Sequence, residues 1–257
     1  MYSKENLSCN MKKTSWSQAS SWYDRIVGEE GHYYHREVIF PELLKLLHLK
    51  KDSRLIDLGC GQGVFSRQIP KEVRYVGLEI SSALIKRARG YTHSKNHTFL
   101  ENDLTKPWAT DETFTHAVCI LALQNIEDPT NVFAELKRVL VPGGKAIFVL
   151  NHPCFRIPRQ SEWHVEKGKQ GRTIYSYMSE QKIPITMHPG KGKGQTWSFH
   201  RPLSYYTQLS SKHGLYIETI EEWVSPKTST GRTARIENRA RKELPLFMTM
   251  VFRRFDT

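Results

Sequence analysis

The sequence predicts an α/β fold: a mostly parallel sheet with helices on both faces. Three observations lead there. Between residues 52 and 150, short apolar runs alternate with segments of helical periodicity. Those runs lack a strict in–out alternation, as expected of strands buried on both faces. A glycine-rich turn follows the first of them, the place where open parallel sheets bind ligands.

Helical patterning begins near Ser21 and runs through WYDRIVGEE. A second helix is predicted in HREVIFPELLKLL, where Val38, Ile39, Leu43, Leu44 and Leu47 recur near helical spacing and Pro41 kinks or divides it. The run RLIDL (54–58) is the first strand, followed by GCGQG and then by a helix after Gly63. YVGLE (75–79) is a second strand. Ser81 suits the N-cap of the helix SALIKRARG, with Gly90 as its stop. Strands follow at 98–101 and 116–121, then an amphipathic helix at 131–140 terminated by Pro142-Gly143-Gly144, then a strand at 145–150. Residues 152–200 are rich in Gly, Pro, Lys and aromatics, and a stretch of that length is improbable as structureless loop. It is expected to be an inserted cover or substrate segment. A helix at 202–214 and strands at 215–223 and 246–254 complete the chain, the last two predicting an antiparallel C-terminal edge to the sheet. The expected organisation is a mobile tail (1–20) and one domain (21–257), in which 21–50 form an N-terminal helical cover.

Composition narrows the function classes. Of 257 residues, 39% are hydrophobic and 25% charged, values of a soluble globular chain. No apolar run is long enough to cross a bilayer and the opening residues lack a signal-peptide core, so a cytoplasmic location is expected. Cys9, Cys60, Cys119 and Cys154 are scattered without a CxxC pair, which argues against a disulfide framework and against a metal site. The net charge of +12 is uneven, because residues 151–257 hold 18 basic and 9 acidic side chains. That basic half would suit nucleic acid or an acidic small molecule, or simply be a solvated surface.

The sharpest signal is LIDLGCGQG (55–63), a strand, an acid, then Gly59-x-Gly61-x-Gly63. Glycines allow a tight turn and close approach of backbone to a ligand. Glu79 ends the second strand, where a carboxylate can accept hydrogen bonds from two ribose hydroxyls. Asp103 follows the third strand in ENDL, placed to accept from an adenine amino group. The order and spacing of the three suit successive βα units.

These residues give residues 52–150 a resemblance to the core of class I S-adenosylmethionine-dependent methyltransferases, of the small-molecule, methyltransferase type 11/12-like bacterial kind. LIDLGCGQG resembles the family's first motif, with Asp57, Gly59, Cys60, Gly61 and Gly63. VGLEIS resembles the second, with Glu79 and Ile80 at the ribose, and ENDL the third, with Asp103 and Leu104 at adenine. CILALQNIED resembles the segment bordering the methyl-donor end, which brings in Leu121 and Asn125. The resemblance implies a Rossmann-like seven-stranded sheet, S-adenosyl-L-methionine as cofactor, S-adenosyl-L-homocysteine as product, and in-line methyl transfer.

Four places are candidates to frame the acceptor. They are Tyr33, Tyr34 and His35 in the N-terminal cover, where His35 is also a cofactor-binding candidate; Gln124 and Asn125 after the fourth strand; Asn151-His152-Pro153, with His152 as candidate general base; and His200-Arg201 with Tyr205, where Arg201 could hold a carboxylate or phosphate bidentately. ALQN stands where methyltransferases acting on base amino groups carry an Asn-Pro-Pro-Tyr motif, which argues against that chemistry. A small-molecule acceptor is expected. The alternatives are an RNA (tRNA) methyltransferase, a non-catalytic cofactor-binding module, and a nicotinamide-dependent oxidoreductase, whose loop would read GxGxxG.

Overall fold

The computed structural model describes residues 15–92, 94–186 and 195–255. Residues 1–14 of the expected tail lie outside the described residues. The first helix, α1 (Ser15–Val27), starts ahead of the predicted position near Ser21.

Seven strands form one sheet in the order β10-β11-β5-β4-β1-β2-β3. Five are mutually parallel: β1 (Arg54–Leu58), β2 (Arg74–Glu79), β3 (His97–Glu101), β4 (Phe114–Ile120) and β5 (Leu140–Asn151). The C-terminal strand β11 (Phe247–Arg254) runs antiparallel to β5 and to β10 (Leu215–Trp223). This antiparallel strand lies one place in from the rim, and β10 forms the outermost strand.

The period of two along each strand sorts side chains into two cores, one per face. On β5, Ala146, Phe148 and Leu150 enter one core, while Ile147 and Val149 enter the other. The first core is closed by α4 (Thr130–Val139), through Val132, Phe133 and Leu136, and by α5 (Leu203–Lys212), through Tyr206. The second is closed by α2 (Phe40–Leu47), through Phe40, Leu43 and Leu47, and by α3 (Ser82–Tyr91), through Ile85 and Ala88. Ser81 caps α3 as predicted, its side chain accepting the Leu84 N–H.

Pro41 has a local consequence. The turn before it, His35–Ile39, is π-helical, and Phe40 N–H bonds to the His35 carbonyl. A wide turn accommodates the residue that lacks its own donor. After Gly63 the predicted helix is reduced to a 3-10 turn, Phe65–Gln68, cut short ahead of Pro70. The polar stretch before β11 contains a helix that patterning does not reveal, α6 (Ala234–Glu243), with only Ala240 buried.

The inserted segment folds as two hairpins. β6 (Ser161–Glu166) and β7 (Lys169–Ile174) are joined through Lys167 and Gly168, both at positive φ, as a tight two-residue turn requires. β8 (Gln181–Thr186) pairs with β9 (Gln195–His200), and β9 packs against both α1 and the turn after β4.

Phe148 stands at the centre of an aromatic cluster with Phe133 and Phe252, its ring centroid 5.6 and 5.2 Å from theirs. Phe148→Ala is expected to cost about 3–5 kcal/mol of unfolding free energy, read by urea denaturation. A loss under about 1 kcal/mol would show that this face of the sheet repacks freely.

Candidate active site

β1 and β2 pair in register from Arg54–Arg74 to Leu58–Leu78, so both chains leave the sheet at the same level. Beyond that level the β1 loop bends onto the end of β2: the N–H groups of Gly59 and Cys60 both donate to the Leu78 carbonyl, at 2.8 and 3.0 Å. Glu79 then fastens the two loops. One carboxylate oxygen accepts the Gly61 N–H at 3.2 Å and the other the Ser81 N–H at 3.0 Å. Burial raises the Glu79 pKa, and these backbone donors oppose the rise.

The three glycines, all at positive φ, are required for different reasons. A Cβ at Gly59 would stand 2.6 Å from the Ala122 Cβ, and one at Gly63 would stand 2.9 Å from the Phe99 ring. A Cβ at Gly61 would meet the Tyr23 ring at 3.2 Å. All three positions are thus closed to a side chain by packing, and Gly59 and Gly61 in addition border an open space.

That space is a cavity of about 690 Å³ at the C-terminal ends of the parallel strands. Its floor is Gly59 and Gly61, then Glu79 and Ile80, then Asn102 to Thr105 after β3. Ile120, Leu121, Ala122, Asn125, Ile126 and Glu127 form one wall; Asn151, Leu246 and Phe247 extend it. Trp22, Tyr23, Ile26 and Val27 of α1, with His32, Tyr34 and His35, close it from above. Leu121 is held at φ 54, a costly conformation for a residue with a Cβ, while its N–H bonds to the Val149 carbonyl.

The cover is tied down by polar contacts. Gln62 Nε2 donates to the Gly28 carbonyl at 2.8 Å and Arg67 Nε to the Glu29 carbonyl at 2.7 Å. Arg87 forms an ion pair with Asp24, joining α3 to α1. The Tyr23 hydroxyl has its pKa raised by burial and then by the nearby Glu79, Cys60 and Asp57. Tyr23 and Trp22 were missed by the sequence reading, although the aromatic pair heading WYD was the available signal. His35 is stacked on Phe40, and burial, with the charge of His32, lowers its pKa to about 4. It is a neutral imidazole, and its Nδ1 has no hydrogen-bond partner among the described residues.

Of the residues singled out from the sequence, the structure brings Gly59, Gly61, Glu79, Ile80, Asp103, Leu104, Leu121, Asn125 and His35 to the cavity wall. Asp57, Cys60 and Gly63 lie beneath the loop, outside the lining. Tyr34 and Asn151 reach the cavity; Tyr33, Tyr205 and His200 do not. His152 is also placed outside it, and both of its ring nitrogens are engaged. Nδ1 accepts the Cys154 N–H at 3.2 Å and Nε2 stands 2.6 Å from Glu222 of β10. Arg201 lines a separate, smaller cavity.

Residues 56–148 match the family model described as a methyltransferase domain. Over those residues the chain is similar to that family. The crystal structure of an S-adenosylmethionine dependent methyltransferase from Mesorhizobium loti is similar to it, at 26% identity and a TM-score of 0.66, over 83% of this chain and 96% of that one. Among curated relatives, a malonyl-[acyl-carrier protein] O-methyltransferase of Hahella chejuensis is 24% identical over 66% of this chain. A ubiquinone biosynthesis O-methyltransferase of Pasteurella multocida is 27% identical over 51% of it. The chain spans 59% of the length of each of these two relatives. The family match thus runs from within β1 to within β5, and the segments that cover the cavity lie outside it.

Asp57 beneath the loop gives this domain a pH signature. Burial raises its pKa to about 7, against the Tyr75 hydroxyl, which donates to Asp57 Oδ2 at 2.6 Å. The folded state then keeps a proton that the unfolded chain loses near its ordinary value of 3.8. The sign follows: stability is greatest at low pH and declines as pH rises to about 7. Asp57→Asn is expected to remove this decline, gaining up to ~4 kcal/mol on the wild type between about pH 4 and about pH 8. Denaturation at a series of pH values checks it, and parallel pH profiles for the two proteins would contradict it.

Proposed function

We propose that this chain binds S-adenosyl-L-methionine in the large cavity and transfers its methyl group to a small-molecule acceptor. The observation that carries the reading is the junction of the glycine loop with Glu79 at the floor of a covered cavity. A volume of about 690 Å³ lies within the range of small-ligand clefts, roughly 300–1,000 Å³.

When bound, the sulfonium supplies a methyl group that is already electrophilic. The chain's own work is to bind, align and exclude water. Gly59 and Gly61 let the backbone approach the amino-acid end of the ligand. Glu79 would accept from the ribose hydroxyls, and Asp103, with Leu104 and Ile80 as apolar walls, would meet the adenine. Trp22, Tyr23 and Ile26 shield the site from above. Holding donor and acceptor in line can contribute roughly 7–11 kcal/mol, without any nucleophilic side chain.

A cavity of this volume suits a small acceptor, and the name of the ubiquinone biosynthesis relative points the same way. No helix among the described residues is long and apolar enough to cross a membrane.

Titration calorimetry with S-adenosylhomocysteine tests the assignment. Glu79→Ala is expected to weaken binding by about 1.5–3 kcal/mol, roughly ten- to hundredfold. Gly61→Val is expected to abolish binding, because its side chain would fill the gap below Tyr23. Unchanged affinity in either variant would place the ligand elsewhere.

A further inference from the structure

Between β10 and β11 the chain leaves the sheet for residues 224–246. The Leu246 N–H returns to the Trp223 carbonyl at 2.8 Å and closes this segment as a loop beside the large cavity. Its first residues are tied to the cavity cover. The Ser225 and Tyr34 hydroxyls lie 3.3 Å apart, and the Lys227 ammonium stands 4.6 and 4.9 Å from the ring centres of Tyr33 and Tyr34. At its other end, Leu246 and Phe247 line the cavity itself. The loop carries α6, which rests on β7.

α6 presents a stripe of cations. Arg235, Arg239 and Lys242 recur at the spacing of one helical face, and Arg232 precedes them in the same line. All four are exposed. Like charges four residues apart oppose helix formation, so the stripe does not serve the helix's own stability. The acids of the helix leave it largely unanswered. Glu237 is engaged by Ser229, Thr233 and Arg241, and Glu243 flanks the stripe with one opposing charge.

The hairpin under α6 adds exposed apolar groups. Trp163 and Val165 point to one face of β6, and they are 37% and 62% exposed. The guanidinium groups of Arg156 and Arg172 stand 4.9 and 5.0 Å from the Trp163 ring centre. Arg156 Nε also donates to the Pro245 carbonyl at 3.4 Å, next to the cavity-lining Leu246. Lys167 and Lys169 stand exposed at the tip of the hairpin. The stripe, the apolar groups and the rim of the cavity are therefore neighbours.

These features select among polyanions. Single-stranded nucleic acid would use a free aromatic face for stacking. Here the Trp163 ring is already met by two guanidinium groups, and Val165 has no π-face. An exposed aliphatic side chain beside unanswered cations matches the boundary of a bilayer, where acyl chains lie just beneath anionic headgroups. Arginine beside tryptophan suits the same depth, because both have an apolar body and a polar end.

We propose that α6 and the β6–β7 hairpin form a docking surface for an anionic lipid bilayer, on which the protein lies without spanning it. Docking there would hold the Leu246–Phe247 rim of the cavity beside the lipid.

Co-sedimentation of the full chain with phosphatidylcholine vesicles, with and without phosphatidylglycerol, tests the proposal. Binding is expected to the anionic vesicles and not to the neutral ones, and it is expected to weaken as salt rises. A basic side chain near such a surface contributes about fivefold, so the double variant Arg235→Gln, Arg239→Gln is expected to bind roughly twenty-five-fold more weakly. Val165→Asp sets a carboxylate against the lipid and is expected to weaken binding by at least about fivefold. The three positions are exposed, so circular dichroism and S-adenosylhomocysteine affinity are expected to be unchanged in these variants. Failure to sediment with the anionic vesicles, or unchanged binding in the double variant or in Val165→Asp, would overturn the proposal. So would binding of tRNA that is tighter than vesicle binding at the same ionic strength and indifferent to Val165→Asp, which would assign the surface to nucleic acid.

Discussion

The carboxylate of Glu79 is the constraint on which the site depends. It is buried, and it accepts one N–H from the loop after β1 and another from the loop after β2. A buried carboxylate without donors would be costly, and glycine-rich backbone without an anchor would be loose. Each solves the other's problem. The parallel register of β1 and β2 makes the meeting unavoidable, because Leu58 and Leu78 face each other at the strand ends. The Leu78 carbonyl takes two more loop N–H groups at the same point. A cleft of defined shape results before any ligand is present, which lowers the ordering cost of binding.

The cover follows from the same logic. An open crevice at a strand-end edge would leave a bound electrophile exposed to water. Here α1 lies across it, fixed through Gln62 and Arg67 to the backbone of residues 28 and 29 and through Asp24 to α3. The inserted β8–β9 hairpin meets both α1 and the turn after β4. Segments distant in sequence therefore converge on one rim, and several of them lie outside the family match. A shared core with divergent covers lets related domains differ in what they modify.

The alternation of strands and helices from β1 to β5 was legible because both faces of the sheet are buried and the connections are short. Gly59, Gly61, Glu79 and Asp103 were legible for a related reason: their places are set by strand ends, which apolar runs mark. Other features were hidden because tertiary contacts set them, or because the local signal was too weak to read alone. Trp22 and Tyr23 belong to a helix whose position over the loop is fixed by tertiary contacts. His152 follows a strand end, the usual place for a working side chain, but its ring is drawn to Glu222 on a strand some seventy residues onward. α6 buries only Ala240, so its pattern reads as polar coil. The segment after Gly63 carries helical residues, but Pro70 leaves it too little length for more than a 3-10 turn.

The most direct test of this account is a crystal structure of the full chain with S-adenosylhomocysteine. Density for the ligand should run from Gly59 and Gly61 to Glu79, with the ribose hydroxyls at the Glu79 carboxylate and the sulfur facing the Asn151 side of the cavity. Ligand density away from Glu79, or a loop that stays closed under Tyr23 with no ligand in the cavity at saturating concentration, would contradict it.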